Sequence, residues 1–210
     1  YGSLAIGGVN QICPSQLTVG GDLMVSNALG NAMLVVYAGI GGAYGEVATY
    51  KTGGASVTVA GRTVVGGAHA TNTSIIYPYC NVTNGAPVIF NLQDLVVTPL
   101  GRFDATGRGF ARIGTVYNGP GQGRAAGGGG GYGGFGGGTT TSNYGLTYGY
   151  ELAPYMPGSP GRDCEEFSSN WNGAGVGGGA LRIRARDVVL DGQLLANGRD
   201  YYGTGNRGGG

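Results

Sequence analysis

The chain has 210 residues, 49 of them glycine, with 41% hydrophobic residues, only 11% charged ones and a formal charge of +1. That apolar content supports one β-domain with a core, or two small ones, and excludes a disordered polymer. So weak a charge excludes an electrostatic footprint for nucleic acid or an anionic membrane, and no run approaches the ~20 apolar residues of a transmembrane helix.

Glycine loses more backbone entropy on ordering than any other residue, so the chain has to recover that cost through dense backbone hydrogen bonding and close packing. Sheets and polyproline II bundles do this; ordinary helices do not. Of the basic residues only Lys51 is lysine, the rest being arginines, whose planar, multiply donating heads suit a packed surface.

In chain order, the start at Tyr1 has neither an initiator Met nor a leader and reads as a processed or excerpted chain. Short β-branched runs between glycine turns predict strands over Leu17 to Val25, Met33 to Tyr37, Ser56 to Val65, Val88 to Val97 and Leu181 to Leu195. No window keeps a capped apolar period of 3.6, so little or no α-helix is expected. Residues 1–90 read as a β-rich module and 91–210 as a glycine-rich repeat unit.

An internal echo organises the second half. Asp94-Leu95-Val96-Val97, followed by Ala105-Thr106-Gly107-Arg108, recurs as Asp187-Val188-Val189-Leu190 followed by Ala196-Asn197-Gly198-Arg199. Leu17 to Leu23 and Val57 to Val64 are weaker relatives: strand, glycine turn, strand. Coils of a β-solenoid read this way, and a coil that cannot bury its apolar face alone leaves open ends to be capped, covered or joined to another molecule.

By composition alone the glycine block from Gly107 to Gly138 is a flexible linker. The entropy argument points instead to an ordered insertion, held as packed polyproline II strands with Cα–H···O contacts or by adjacent subunits. Tyr132, Phe135, Tyr144, Tyr148 and Tyr150 stand among its glycines as packing and assembly anchors.

From Leu95 onward the sequence resembles the glycine-rich parallel β-helix repeats of very large secreted surface proteins. The resemblance is carried by Ala105-Thr106-Gly107, Gly127 to Gly134, Pro157-Gly158-Ser159-Pro160-Gly161 and Gly177 to Ala185. It implies a parallel β-helix-like fold and an extracellular surface role, and it transfers no active site.

Catalytic chemistry finds few candidates. His69 is the only histidine and no G-x-S-x-G elbow accompanies it; Gly119-x-Gly121-x-Gly123 lacks the Lys-Ser/Thr ending of a phosphate loop. One histidine and dispersed cysteines make no zinc pattern, so neither a metal nor a cofactor is expected, and the chain reads as a non-enzyme. Asp163, Glu165 and Glu166 flank Cys164; with Trp171 they support an alternative reading as a carbohydrate-binding adhesin or a polysaccharide-acting β-helix protein, against the plainer one of a solvated acidic loop and a core tryptophan.

Arg182, Arg184 and Arg186 alternate with Leu181, Ile183 and Ala185, which predicts arginines on one strand face and apolar side chains on the other. Cys13, Cys80 and Cys164 allow one disulfide and one leftover thiol, paired between subunits, paired with a part of the chain outside this sequence, or buried free. The sequons at Asn72 and Asn81 are glycan candidates in a secreted chain. The combined expectation is an extracellular structural protein that assembles through strand edges into a filament or surface array. Its partners are copies of itself or other parts of a larger surface protein, with glycans as a further possibility.

Overall fold

The computed structural model describes residues 2–9, 11–40, 53–67, 72–113, 116–125, 127–138, 142–149, 154–162 and 175–199. The secondary structure they form is strand and turn, without a helix. Among the described residues there are twelve strands: β1 Gly2–Ile6, β2 Ser15–Val19, β3 Leu23–Val25, β4 Ala32–Tyr37, β5 Ala55–Val65, β6 Ser74–Tyr79, β7 Val88–Val97, β8 Gly101–Asp104, β9 Arg112–Ile113, β10 Val116–Tyr117, β11 Leu181–Leu190 and β12 Gln193–Leu195.

Two sheets hold all but the small β9–β10 hairpin. One has the order β1-β4-β6-β8-β12; the other runs β11-β7-β5-β2, with β3 following β2 along the same edge of β5. Every pairing within them is parallel. Apart from β2 and β3, which share one edge, successive strands alternate between the two sheets, and each return to a sheet lands one position further along it. The boundary expected at residue 90 falls inside β7, and both sheets run across it.

Alternation within strands builds the core. β4 buries Ala32, Leu34 and Val36; β5 buries Ala55, Val57, Val59 and Val65; β7 buries Val88, Phe90, Leu92, Leu95 and Val97. Parallel register stacks these as columns, such as Val57–Phe90–Ile183 and Leu4–Leu34–Ile76–Phe103–Leu194. Phe90 and Phe103 meet edge to face across the sheets, with ring centroids 5.2 Å apart. Thr63 is the exception in its column, 1% exposed with a hydroxyl that has no hydrogen-bond partner among the described residues.

The echo in the sequence is a stacking register. Asp94, Leu95, Val96 and Val97 pair with Asp187, Val188, Val189 and Leu190, and the Ala105 and Gly107 N–H groups donate to the carbonyls of Leu195 and Asn197. Second copies of the motif therefore lie directly on the first. The expected strand over Leu17 to Val25 breaks into β2 and β3 at Gly20–Asp22, opposite the irregularity where β5 shifts register between Val59 and Arg62.

Between β8 and β11 the chain leaves the sheets and forms a glycine layer. Gly131 N–H donates to Gly121 O at 2.7 Å, Gly129 to Gly137 at 2.7 Å, Gly145 to Gly129 at 3.0 Å, and Arg162 to Gly128 at 2.7 Å. Neighbouring segments approach so closely that a Cβ on Gly128, Gly145, Gly177, Gly136 or Gly130 would land on a backbone carbonyl oxygen. In glycine that direction holds a hydrogen, so these positions aim Cα–H groups at carbonyls. The layer is tied back to the sheets by Phe110, whose N–H donates to Gly158 O and whose 0%-exposed ring fills the space a side chain at Gly85 (φ 76°) would need.

Candidate functional site

At both ends of the stack the described residues leave core columns open. Among the described residues β11 and β12 have one neighbour each, β7 and β8. Their core-facing positions are consequently half open: Val188 is 56%, Leu190 46% and Leu194 43% exposed, although the residues directly beneath them, Leu95, Val97 and Phe103, are at most 2% exposed. At the opposite end Leu4, above the buried Leu34, is 54% exposed beside an open hollow of about 370 Å³ lined by Leu23, Val25, Ala32 and Leu34. Among the described residues, interior columns thus emerge at both ends with apolar side chains uncovered.

On β11 the expected alternation is present. Leu181, Ile183 and Ala185 pack against the core, whereas Arg184 and Arg186 are exposed. Arg186 bridges the stacked carboxylates, reaching Asp94 at 2.8 Å and Asp187 at 2.7 Å. The hydrogen bond that Arg186 donates to Asp187, and then the field of Asp94, hold its guanidinium above the usual value. Arg182 lies over the Tyr155 ring, 4.6 Å from its centroid, and burial followed by repulsion from Arg184 lowers its value.

Within the glycine layer Tyr132 and Tyr148 pack edge to face, centroids 5.0 Å apart, and Phe135 tilts against Tyr144 at the same separation. Tyr148 Oη donates to Pro157 O at 2.6 Å and accepts from Ser159 Oγ, which in turn accepts from Gly121 N–H. Burial pushes the Tyr132 phenol above its usual value. Phe135 is 64% exposed, so of this set it is the side chain turned outward. Tyr150 lies outside the described residues, as do His69, Asp163, Cys164, Glu165, Glu166 and Trp171.

Cys13 is an exposed free thiol and Cys80 a buried one, so these two are not joined to each other. Cys80 Sγ accepts the Ala180 N–H at 3.3 Å, and burial pushes its pKa up to about 12. Asn72 is half-buried and its Nδ2 donates to Ala28 O at 3.2 Å. Asn81 is 4% exposed, its Oδ1 accepting from the N–H groups of Thr83 and Asn84; a sugar there would have to emerge from a closed turn.

Sequence reasoning missed the cluster of tyrosines and a carboxylate around Arg108, beside the first sheet. Arg108 lies 4.1 Å from the Tyr77 ring centroid and 4.8 Å from that of Tyr79, with Asp104 at 3.5 Å, and Tyr79 stacks on Tyr37 at 4.8 Å. The available signal was that Arg108 closes the repeated A-x-G-R turn. Among the described residues no three His, Cys, Asp or Glu side chains gather where a metal could sit, and no helix is long and apolar enough to cross a membrane. Against protein-family profiles, curated protein sequences and solved structures the chain has no match.

Proposed function

We propose that this chain is a structural segment of an extracellular filament or surface array, without catalytic activity, and that its two sheets are the faces of a β-solenoid that assembles end to end. The observation that carries the reading is the exposure of core columns at the two outermost positions of the described sheets. At each, core columns terminate in half-exposed apolar residues, Leu4 at one end and Val188, Leu190 and Leu194 at the other.

Further support comes from strand direction. Because all pairings in both sheets are parallel, the two ends are different surfaces that can meet without inverting either partner, giving the head-to-tail contact that propagates as an open polymer. The glycine layer adds rigidity by close backbone packing together with its tyrosine contacts, and Phe135 turns an exposed aromatic ring outward from it. A surface location is favoured by the Asn72 sequon and the low charge density.

Sedimentation velocity of the purified 210-residue chain over a hundredfold concentration range, with negative-stain electron microscopy of the same samples, tests this. The expected result is rods that lengthen with concentration and keep a constant width. A monomer at every concentration overturns the proposal.

A further inference from the structure

On the outer face of the first sheet two phenols are stacked by strand register. Alternation along β4 and β6 sends Val36 into the core, 0% exposed, and leaves Tyr37, Tyr77 and Tyr79 half-buried on the outside. Tyr37 and Tyr79 are register partners, and because β4 and β6 run parallel the two side chains leave neighbouring strands in the same direction and at the same height. Their rings stack with centroids 4.8 Å apart and planes inclined by 28°. Strand spacing sets that separation, since one step across a sheet is ~4.8 Å. Arg108, from the coil on the far side of β6, lies 4.8 Å from the Tyr79 centroid, so Tyr79 is flanked by a cation on one side and by Tyr37 on the other.

We propose that Tyr37 and Tyr79 form a site of oxidative cross-linking, at which hydrogen peroxide, acting through a peroxidase, joins the two rings as dityrosine. Each phenol gives up one electron and one proton. The two phenoxyl radicals couple ortho carbon to ortho carbon, and the hydrogens on those carbons move to the oxygens. The two electrons and two protons removed reduce one hydrogen peroxide to two waters. Stacking in register sets the ortho positions of one ring beside those of the other, so a chance encounter between free phenols becomes a step within one molecule.

Two surroundings of the pair favour the reaction. Bond formation requires the rings to leave the stack and meet edge to edge, and a hollow of about 150 Å³ beside them, bordered by Val9, Asn81 and Val82, gives them room to turn. Among the described residues neither hydroxyl has a hydrogen-bond partner that would have to be given up. The tyrosine pair of the glycine layer is built differently: Tyr132 and Tyr148 meet edge to face, the Tyr132 Oη is buried, and the Tyr148 Oη is held by Pro157 O at 2.6 Å. The product is a covalent rung between β4 and β6, closing a loop that runs through β5 in the other sheet. It restricts the unfolded chain as a disulfide does, without a cysteine. Both rings belong to one copy, so the inference goes beyond the end-to-end assembly proposed above and does not depend on it.

Treating the 210-residue chain at high dilution with hydrogen peroxide and a haem peroxidase tests this. Dityrosine fluorescence is read from the monomer band of a denaturing gel. Mass spectrometry of the digest then searches for a peptide pair joined through Tyr37 and Tyr79, lighter by two hydrogens than its separate halves. The expected result is fluorescence in the monomer together with that peptide pair, both lost in Tyr37→Phe and in Tyr79→Phe and both kept in Tyr77→Phe. Circular dichroism checks that the variants fold, and mapping of the unsubstituted chain decides the matter without them. Dityrosine confined to dimers and larger species overturns the proposal, as does a monomer cross-link that maps to other tyrosines, or no dityrosine at all. Sedimentation reads assembly separately, so failure here leaves the structural reading standing.

Discussion

The sheets and the glycine layer hold themselves together by opposite means. In the sheets the backbone is spaced at ordinary strand distances and side chains supply the cohesion, as at Phe90 and Phe103, both at most 1% exposed. At the contact points of the layer the side chain is absent and the backbones move together until Cα–H groups face carbonyls, as at Gly128 and Gly145. One region tolerates changes that conserve volume; the other tolerates no volume at all at its contact points. Glycine content by itself is thus not a measure of softness, because what counts is whether another backbone occupies the vacated space.

The comparison breaks most sharply at its two centres. Phe103→Ala should cost about 3–5 kcal/mol in denaturant unfolding, since it removes a fully buried ring that packs on Phe90. Gly128→Ala, one added methyl, should cost about 1–3 kcal/mol as an overpacking change. Hydrogen exchange would locate the difference: the amides of Gly129, Gly131, Gly136 and Gly145 should lose protection in Gly128→Ala while those of β5 and β7 keep theirs, and a uniform loss would mean the layer and sheets unfold as one unit.

Smaller effects sharpen it. Thr63→Val should stabilise the chain by about 1 kcal/mol, because the orphan hydroxyl in an apolar column is replaced by a methyl of similar size. Gly133→Ala, where a Cβ would meet nothing, should shift stability by less than about 0.5 kcal/mol, in contrast to Gly128→Ala. Cys80 should resist a thiol reagent at pH 8 in the folded chain while Cys13 reacts, as peptide mapping of the labelled protein would read. The linkage has a definite sign. The Cys80 value is raised on folding from 9.0 to about 12, so its contribution is fully present below pH 9 and is lost as pH rises toward 12.

Strand content was legible where period-two alternation is long, as in Val88–Val97, which the sequence bounds and the structure match. β6 and β8 were not expected. Pro78 interrupts the donor pattern of β6, and it is tolerated because β8 pairs only with Ser74, Ile75 and Ile76. β8, reading Gly-Arg-Phe-Asp, is too short and too charged to declare itself. The echo of Asp94–Val97 was visible as repetition, but repetition does not say whether the copies stack or lie apart; that is fixed by the return path through the other sheet. The enclosure of Cys80 has no local signal, since it depends on a segment distant in sequence at Ala180, whereas the turn that closes over Asn81 is local, made by the N–H groups of Thr83 and Asn84.

Parallel stacks of similar strands face an addressing problem, because every strand offers much the same edge and a chain that folds one place too early still makes most of its hydrogen bonds. The register shift in β5 between Val59 and Arg62 acts as a serial number. It is matched on one side by the Gly20–Asp22 break, where Gly61 N–H donates to Gly21 O and Arg62 N–H to Asp22 Oδ1, and no such break interrupts β7 or β11. A β5 that settled in the place of β7 would leave that corner without its partner, so the irregular corner identifies which strand is which.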